Sequence, residues 1–182
     1  MSDSDSVTTA SYTDAARARL VLAYEACELS DLARAFVPIR EHELNPDGTI
    51  PTPGGLLADA AQVVAAAQRF FEAAAVFERV GGADWQVIGD ALAVSARTVH
   101  VRFATAEAAF RELLSSERGS VEGGAGRLRA YMAREPWEVA GDLDDWVLRH
   151  DDGDSDLGTT PVSGGLVPRD HVPHSSPAAS RR

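Results

Sequence analysis

Apolar residues recur along this chain at three- and four-residue intervals, the period of one face of an α-helix. From Tyr12 to about Val37 the stripe runs Leu22, Ala26, Leu29, Ala33, Phe36, widened by Leu20, Tyr24 and Cys27. Thr13 or Ser11 suits its N-cap. Pro38 ends it, because the residue before a proline is pushed out of the α region. REHELNPDGTIP (40–51) then reads as a loop. In its Asn-Pro-Asp-Gly turn proline presets φ and glycine permits a positive one. The next helix opens at Thr52-Pro53, an N-cap followed by proline at the first helical position. Its residues Leu56, Ala60, Val63, Ala67, Phe70, Ala74 and Phe77 alternate steps of four and three, an a/d seam held for three heptads. Leu57, Val64 and Phe71 stand beside the seam. Two uses fit it: the core face of an antiparallel pair with the first helix, and a homodimer interface around Leu56–Phe77. Gly81-Gly82 is a C-cap signal.

The stretch from Asp84 to Phe103, DWQVIGDALAVSARTVHVRF, organises the rest. Val87, Ile88 and Leu92 give a first helix an apolar face. Gly89 lies inside that helix, where glycine costs about 1 kcal/mol against alanine, and close packing of a second helix would justify it. Ala93-Val94-Ser95 breaks the pattern, with Val94 as the apolar plug of a turn and Ser95 as an N-cap. In the second helix Val99 and Phe103 face inward, four residues apart, with Arg97, His100, Val101 and Ala104 on the other side.

Residue by residue this run resembles the helix-turn-helix of DNA-binding proteins. A small residue stands midway in the first helix (Gly89), followed by an apolar one (Leu92), a turn residue, a second apolar one (Val94) and a branched one five positions on (Val99). Thr98-Val99 followed by Arg102-Phe103 is most similar to the variant in sigma-factor C-terminal domains and response-regulator effector domains. One departure is Ala93, where glycine is commonest; glycine relaxes a positive φ there and alanine must strain. The resemblance covers roughly 20 of 182 residues and implies a module that binds double-stranded DNA. It implies that the helix Ser95 to Ala104 enters the major groove, with Ser95, Ala96, Arg97, Thr98, His100, Val101 and Arg102 as the DNA-facing set. Arg97 is then the candidate for a bidentate contact to guanine, His100 for a base or phosphate, and Ser95 and Thr98 for phosphate oxygens. Arg102 has two expected partners, the DNA backbone and an acid of the preceding helix such as Asp90.

A bare helix-turn-helix cannot bury its own apolar face, so flanking helices are required. Thr105 is expected to cap a short helix with Ala108, Phe110, Leu113 and Leu114 for burial. GSVEGGAG (119–126) reads as a flexible linker, and residues 127–150 as a short helical segment. Within it Pro136 starts a helix whose Trp137, Ala140, Leu143 and Val147 share a face. Residues 1–10 read as a disordered acidic leader. Residues 151–182, rich in Gly, Pro, Ser and Asp, read as a disordered tail. The expected fold is all-α: a long N-terminal antiparallel helical pair leading into the helix-turn-helix at 84–104 within a domain of 11–118, then short helices and the tail.

Charge changes this picture less than it first suggests. The net charge is −11, against the basic footprint of a nucleic-acid binder. From Glu135 to Leu157, however, nine acids face a single base, Arg149, and supply eight of those charges. Between Ser95 and Ala106 stand Arg97, Arg102 and His100 with no acid. Two arginines are still a thin footprint, so binding by one copy is expected to be weak and salt-sensitive. All 17 basic residues counted as Lys or Arg are arginine, which suits bidentate recognition and fits a GC-rich coding genome.

Candidate chemistry adds little. Gly123-Gly124-Ala125-Gly126 lacks the Lys-Ser/Thr of a phosphate-binding loop, and no Gly-x-Ser-x-Gly elbow occurs. Glu41-His42-Glu43 and the His171/His174 pair have nothing to complete a metal site. The alanine-rich helical pair leaves little room for a ligand. Neither an enzyme nor a metal or cofactor is expected. Cys27 alone permits no internal disulfide and reads as a small apolar residue. The acidic N-terminus is unlike a signal peptide, and a cytoplasmic location is expected. The leading expectation is a sequence-specific DNA-binding transcriptional regulator. The rival is a protein-interaction module that keeps the helix-turn-helix as architecture, with 135–157 as a solvated tail or a cover for the basic helix.

Overall fold

The computed structural model describes residues 12–115, 135–153 and 156–166. Among them the regular structure is helical, with no strand: α1 (Asp14–Arg34), α2 (Gly55–Val80), α3 (Trp85–Ala91), α4 (Ala96–Ser115), α5 (Pro136–His150) and a 3-10 turn at Ser163–Gly165. The expected leader, the linker at 119–126 and the end of the tail lie outside the described residues. No described helix is long and apolar enough to cross a membrane.

Local chemistry sets the boundaries. Thr13 caps α1, its hydroxyl accepting from the Ala16 amide at 3.1 Å. In the loop the Gly48 amide donates to the Asn45 carbonyl at 2.9 Å, and Gly48 takes φ 80°. The Asp47 carboxylate accepts from the Thr49 amide at 3.0 Å. Helix α2 starts later than Thr52-Pro53 implies, because Gly54 is left-handed at φ 90° and only the chain after it can wind into a helix. It ends as expected, with Gly82 at φ 103° and the Ala83 amide donating to the Glu78 carbonyl at 3.0 Å.

Two apolar clusters hold the helices together. The first joins Ala18, Leu20 and Val21 of α1, Ala73 and Val76 of α2, Phe110 of α4, and Val139, Ala140 and Leu143 of α5. The start of α1 thus meets the end of α2, so the two run antiparallel. Between them Glu25, buried, accepts from Arg69 Nε at 3.0 Å. The second cluster is Ala75 of α2, Ile88 of α3, and Val99 and Phe103 of α4, with Phe71, Ala83, Trp85 and Leu92 packed around it. Helix α2 contributes to both and ties α3 and α4 to the body.

Three expectations are corrected. No separate helix starts at Thr105. Helix α4 runs unbroken from Ala96 to Ser115, since the alanines around Thr105 are strong helix formers and outweigh one threonine. In α5 the buried stripe is Pro136, Val139, Ala140 and Leu143, whereas Trp137 is 63% exposed. That helix packs on α1 rather than over Ser95–Ala104, and the Trp146 indole donates to Asp31 of α1 at 3.0 Å. The tail expected to lack structure from Asp151 onward is fixed at its 3-10 turn. There buried Asp144 of α5 accepts from the Val162 amide at 2.6 Å and the Ser163 amide at 3.1 Å, and from the Ser163 hydroxyl. Val162 and Leu166 add apolar contact to the first cluster.

Candidate nucleic-acid interface

The α3–turn–α4 unit is closed by backbone contact. Asp84 caps α3, its carboxylate accepting from the Val87 amide at 2.9 Å. A Cβ placed on Gly89 would stand 2.7 Å from the Val94 carbonyl oxygen and 3.1 Å from the Ala96 nitrogen. The glycine therefore admits the turn itself and the first residue of α4. In the turn Ala93 takes φ 54°, the strained left-handed conformation its position demands. The Val94 amide donates back to the Gly89 carbonyl at 2.9 Å. Val94 is exposed and does not plug the turn; Ile88 and Leu92 supply the apolar contact beneath it. Ser95 caps α4, its Oγ accepting from the Thr98 amide at 3.1 Å and lying 2.8 Å from Thr98 Oγ1.

Helix α4 divides as its spacing predicts. Val99 and Phe103 are each 1% exposed, and Phe71 meets Phe103 edge-on at 5.2 Å between centroids. On the opposite side Arg97, Thr98, His100 and Val101 are exposed, and Ala96 and Ala104 are half-buried. Arg97 enters none of the ion pairs among the described residues, which are Arg69–Glu25, Arg79–Glu107 and Arg111–Glu107. The first turn of α4 carries no acid, so no carboxylate there offsets Arg97 or the positive end of the helix dipole.

Arg102 is not brought into that set. It donates to Gln68 Oε1 of α2 at 3.1 Å and lies 4.8 Å over the Phe71 ring and 5.2 Å over the Phe103 ring. Asp90, its expected acidic partner, accepts instead from Gln86 Nε2 at 2.7 Å. The aromatic faces and the amide hold the guanidinium against α2.

The structure also adds residues that sequence pattern did not single out. His100 meets Trp85 edge-on at 5.4 Å, and Arg79 covers Trp85 at 4.4 Å. Arg79 is itself fixed by Glu107, 3.3 Å from its guanidinium, and by donating to the Ala83 carbonyl. This chain of contacts runs from the end of α2 through Trp85 to the exposed ring of His100. A tryptophan beside the capping Asp84 was the one available signal.

A cavity of about 290 Å³ opens between α1, α2 and α4, lined by Val21, Val76, Ala106 and Phe110 with Arg69 and Arg102 at its rim. The alanine-rich pair thus leaves more room than its composition implies. The rim is already paired: Arg69 with Glu25, Arg102 with Gln68, and Gln68 with Glu72.

No protein-family model, curated protein or solved structure matches this chain.

Proposed function

We propose that this chain is a sequence-specific DNA-binding protein, a transcriptional regulator, that reads the major groove with the outer face of the first turns of α4. The observation that carries the reading is the tight α3–turn–α4 unit, closed at Gly89 and Ala93, with Arg97, Thr98, His100 and Val101 turned away from the core. In that pose Arg97 forks onto the O6 and N7 of a guanine. Ser95 and Thr98 meet phosphate oxygens, and His100, steadied by Trp85, reaches a base or phosphate one turn on. Arg102 supports the module from behind. Selection from a pool of random duplexes tests the reading: one enriched motif is expected. Arg97→Ala should weaken that site by about 1–3 kcal/mol, measured by titration at fixed salt. Equal affinity of wild type and variant rules the guanine contact out.

A second copy is part of the proposal. From Ala60 onward the α2 seam is half-buried inside the monomer, but Leu56 at its start and Leu57 and Val64 beside it are exposed. The homodimer surface therefore narrows to the first three turns of α2. The rival, a protein-interaction module, draws support from the exposed Val87, Val94 and Val101. Enrichment of no DNA sequence in the same selection would favour it.

A further inference from the structure

Val101 is 74% exposed in the middle of the proposed reading face and belongs to neither buried cluster. We infer that Val101 reads the 5-methyl group of a thymine close to the base pair met by Arg97, an inference that rests on the DNA-binding reading above. Each helical residue turns by about 100°, so a residue two positions from both Val99 and Phe103 points away from the core that those two enter. Its neighbours one turn away are Arg97 and Thr98 on one side and Ala104 and Thr105 on the other. Arg97, Thr98 and His100 can each hydrogen-bond a base edge. Valine cannot, and in the major groove the apolar partner on offer is the thymine methyl.

Two further properties suit Val101 to that task. A β-branched side chain keeps one dominant rotamer in a helix, so its methyl groups are held in place before binding. Ala104, small and half-buried, leaves the space beside them open. Spacing sets where the thymine lies. Four residues of helix advance about 6 Å, and base pairs are stacked about 3.4 Å apart. Where the helix follows the groove, Val101 therefore lies fewer than two base steps from the contact of Arg97. The half-site should contain a guanine with a thymine one or two steps away, on either strand.

The full-length chain tests this with duplexes carrying its selected site, in which each thymine in turn is replaced by uracil. That exchange removes the methyl group and nothing else. For the wild type, one position per half-site should lose about fourfold in affinity, the value of one buried methyl-sized group. For Val101→Ser, thymine and uracil at that position should bind alike. Serine matches valine in helix propensity and the side chain lies outside both clusters, so the variant keeps the fold, as its circular dichroism melt should confirm. A site indifferent to uracil at every position overturns the role of Val101 while leaving the DNA reading intact. So does a uracil penalty unchanged in Val101→Ser. Failure to enrich any sequence overturns both.

Discussion

At Gly89 a missing side chain has two opposing consequences for stability. A mid-helix glycine costs about 1 kcal/mol, yet a methyl group there would press to 2.7 Å from the Val94 carbonyl oxygen. That neighbour is backbone, and the Val94 amide is tied to the Gly89 carbonyl, so it gives way poorly. Overpacking of this kind costs about 1–3 kcal/mol, which exceeds the propensity gained. Gly89→Ala should therefore lower stability by up to about 2 kcal/mol in urea unfolding, with a shifted midpoint and an unchanged slope. Stabilisation by that substitution would mean the turn stands further off. Gly89 and Ala93 were both legible beforehand, Gly89 from its place mid-helix and Ala93 from its place in the motif, since each answers a backbone demand that is local. Cys27 is a second local case. Burial, then Asp31 and Glu28, push its thiol up to about 11, with Arg149 opposing. The thiolate is the reactive form. Iodoacetamide at pH 8 should accordingly label the native thiol roughly 10- to 100-fold more slowly than the unfolded chain, and faster as pH climbs. The native state holds this proton more tightly, so its contribution to stability is complete below the unfolded value of about 8.5. That contribution fades as pH rises through about 11.

Between elements, contacts distant in sequence decide what composition left open. The period of α4 put Val99 and Phe103 inward correctly because both lie within one regular helix. In α5 the expected face of Trp137, Ala140, Leu143 and Val147 is buried at Ala140 and Leu143, but packing on α1 covers Val139 and leaves Trp137 exposed. The fixed turn at Ser163–Gly165 was illegible for the same reason. Its serine and two glycines are those of a free tail, but its acceptor is Asp144, 18 residues before Val162. Asp144 is one of the nine acids from Glu135 to Leu157, and it is buried. Asp144→Ala leaves two backbone amides and a hydroxyl without that acceptor. Hydrogen bonds to a charged group contribute about 1.5–3 kcal/mol, so loss of several should release the turn. Amide exchange at Val162 and Ser163 should accelerate while that of α2 stays slow, and global stability should fall by about 1–3 kcal/mol. Unchanged exchange at Val162 and Ser163 would show that Val162 and Leu166 hold the segment by apolar contact alone.

Across the whole molecule, the distribution of charge and apolar surface makes the number of copies the deciding quantity. Helix α5, which carries much of the acid, packs on α1, and the first turn of α4 has none. In the proposed pose an acidic protein would meet DNA with one face, and Arg97 would be the arginine of that face, with Arg102 held on α2. One copy should bind weakly; two copies on adjacent half-sites convert the second contact into an intramolecular one. The surface available for pairing is the start of α2, where Leu57 is 77% and Val64 69% exposed. We expect light scattering to give twice the 19.3 kDa of one chain, and the selected site to be a palindrome with half-sites about 34–36 Å apart or a multiple of that. Leu57→Glu with Val64→Glu touches neither buried cluster, so the double variant should keep its helical melt, become monomeric and lose about half of the salt dependence of DNA binding. A wild type that remains a monomer at the concentrations that saturate its site removes this interface. A monomeric double variant with undiminished affinity would instead show that a single helix-turn-helix suffices.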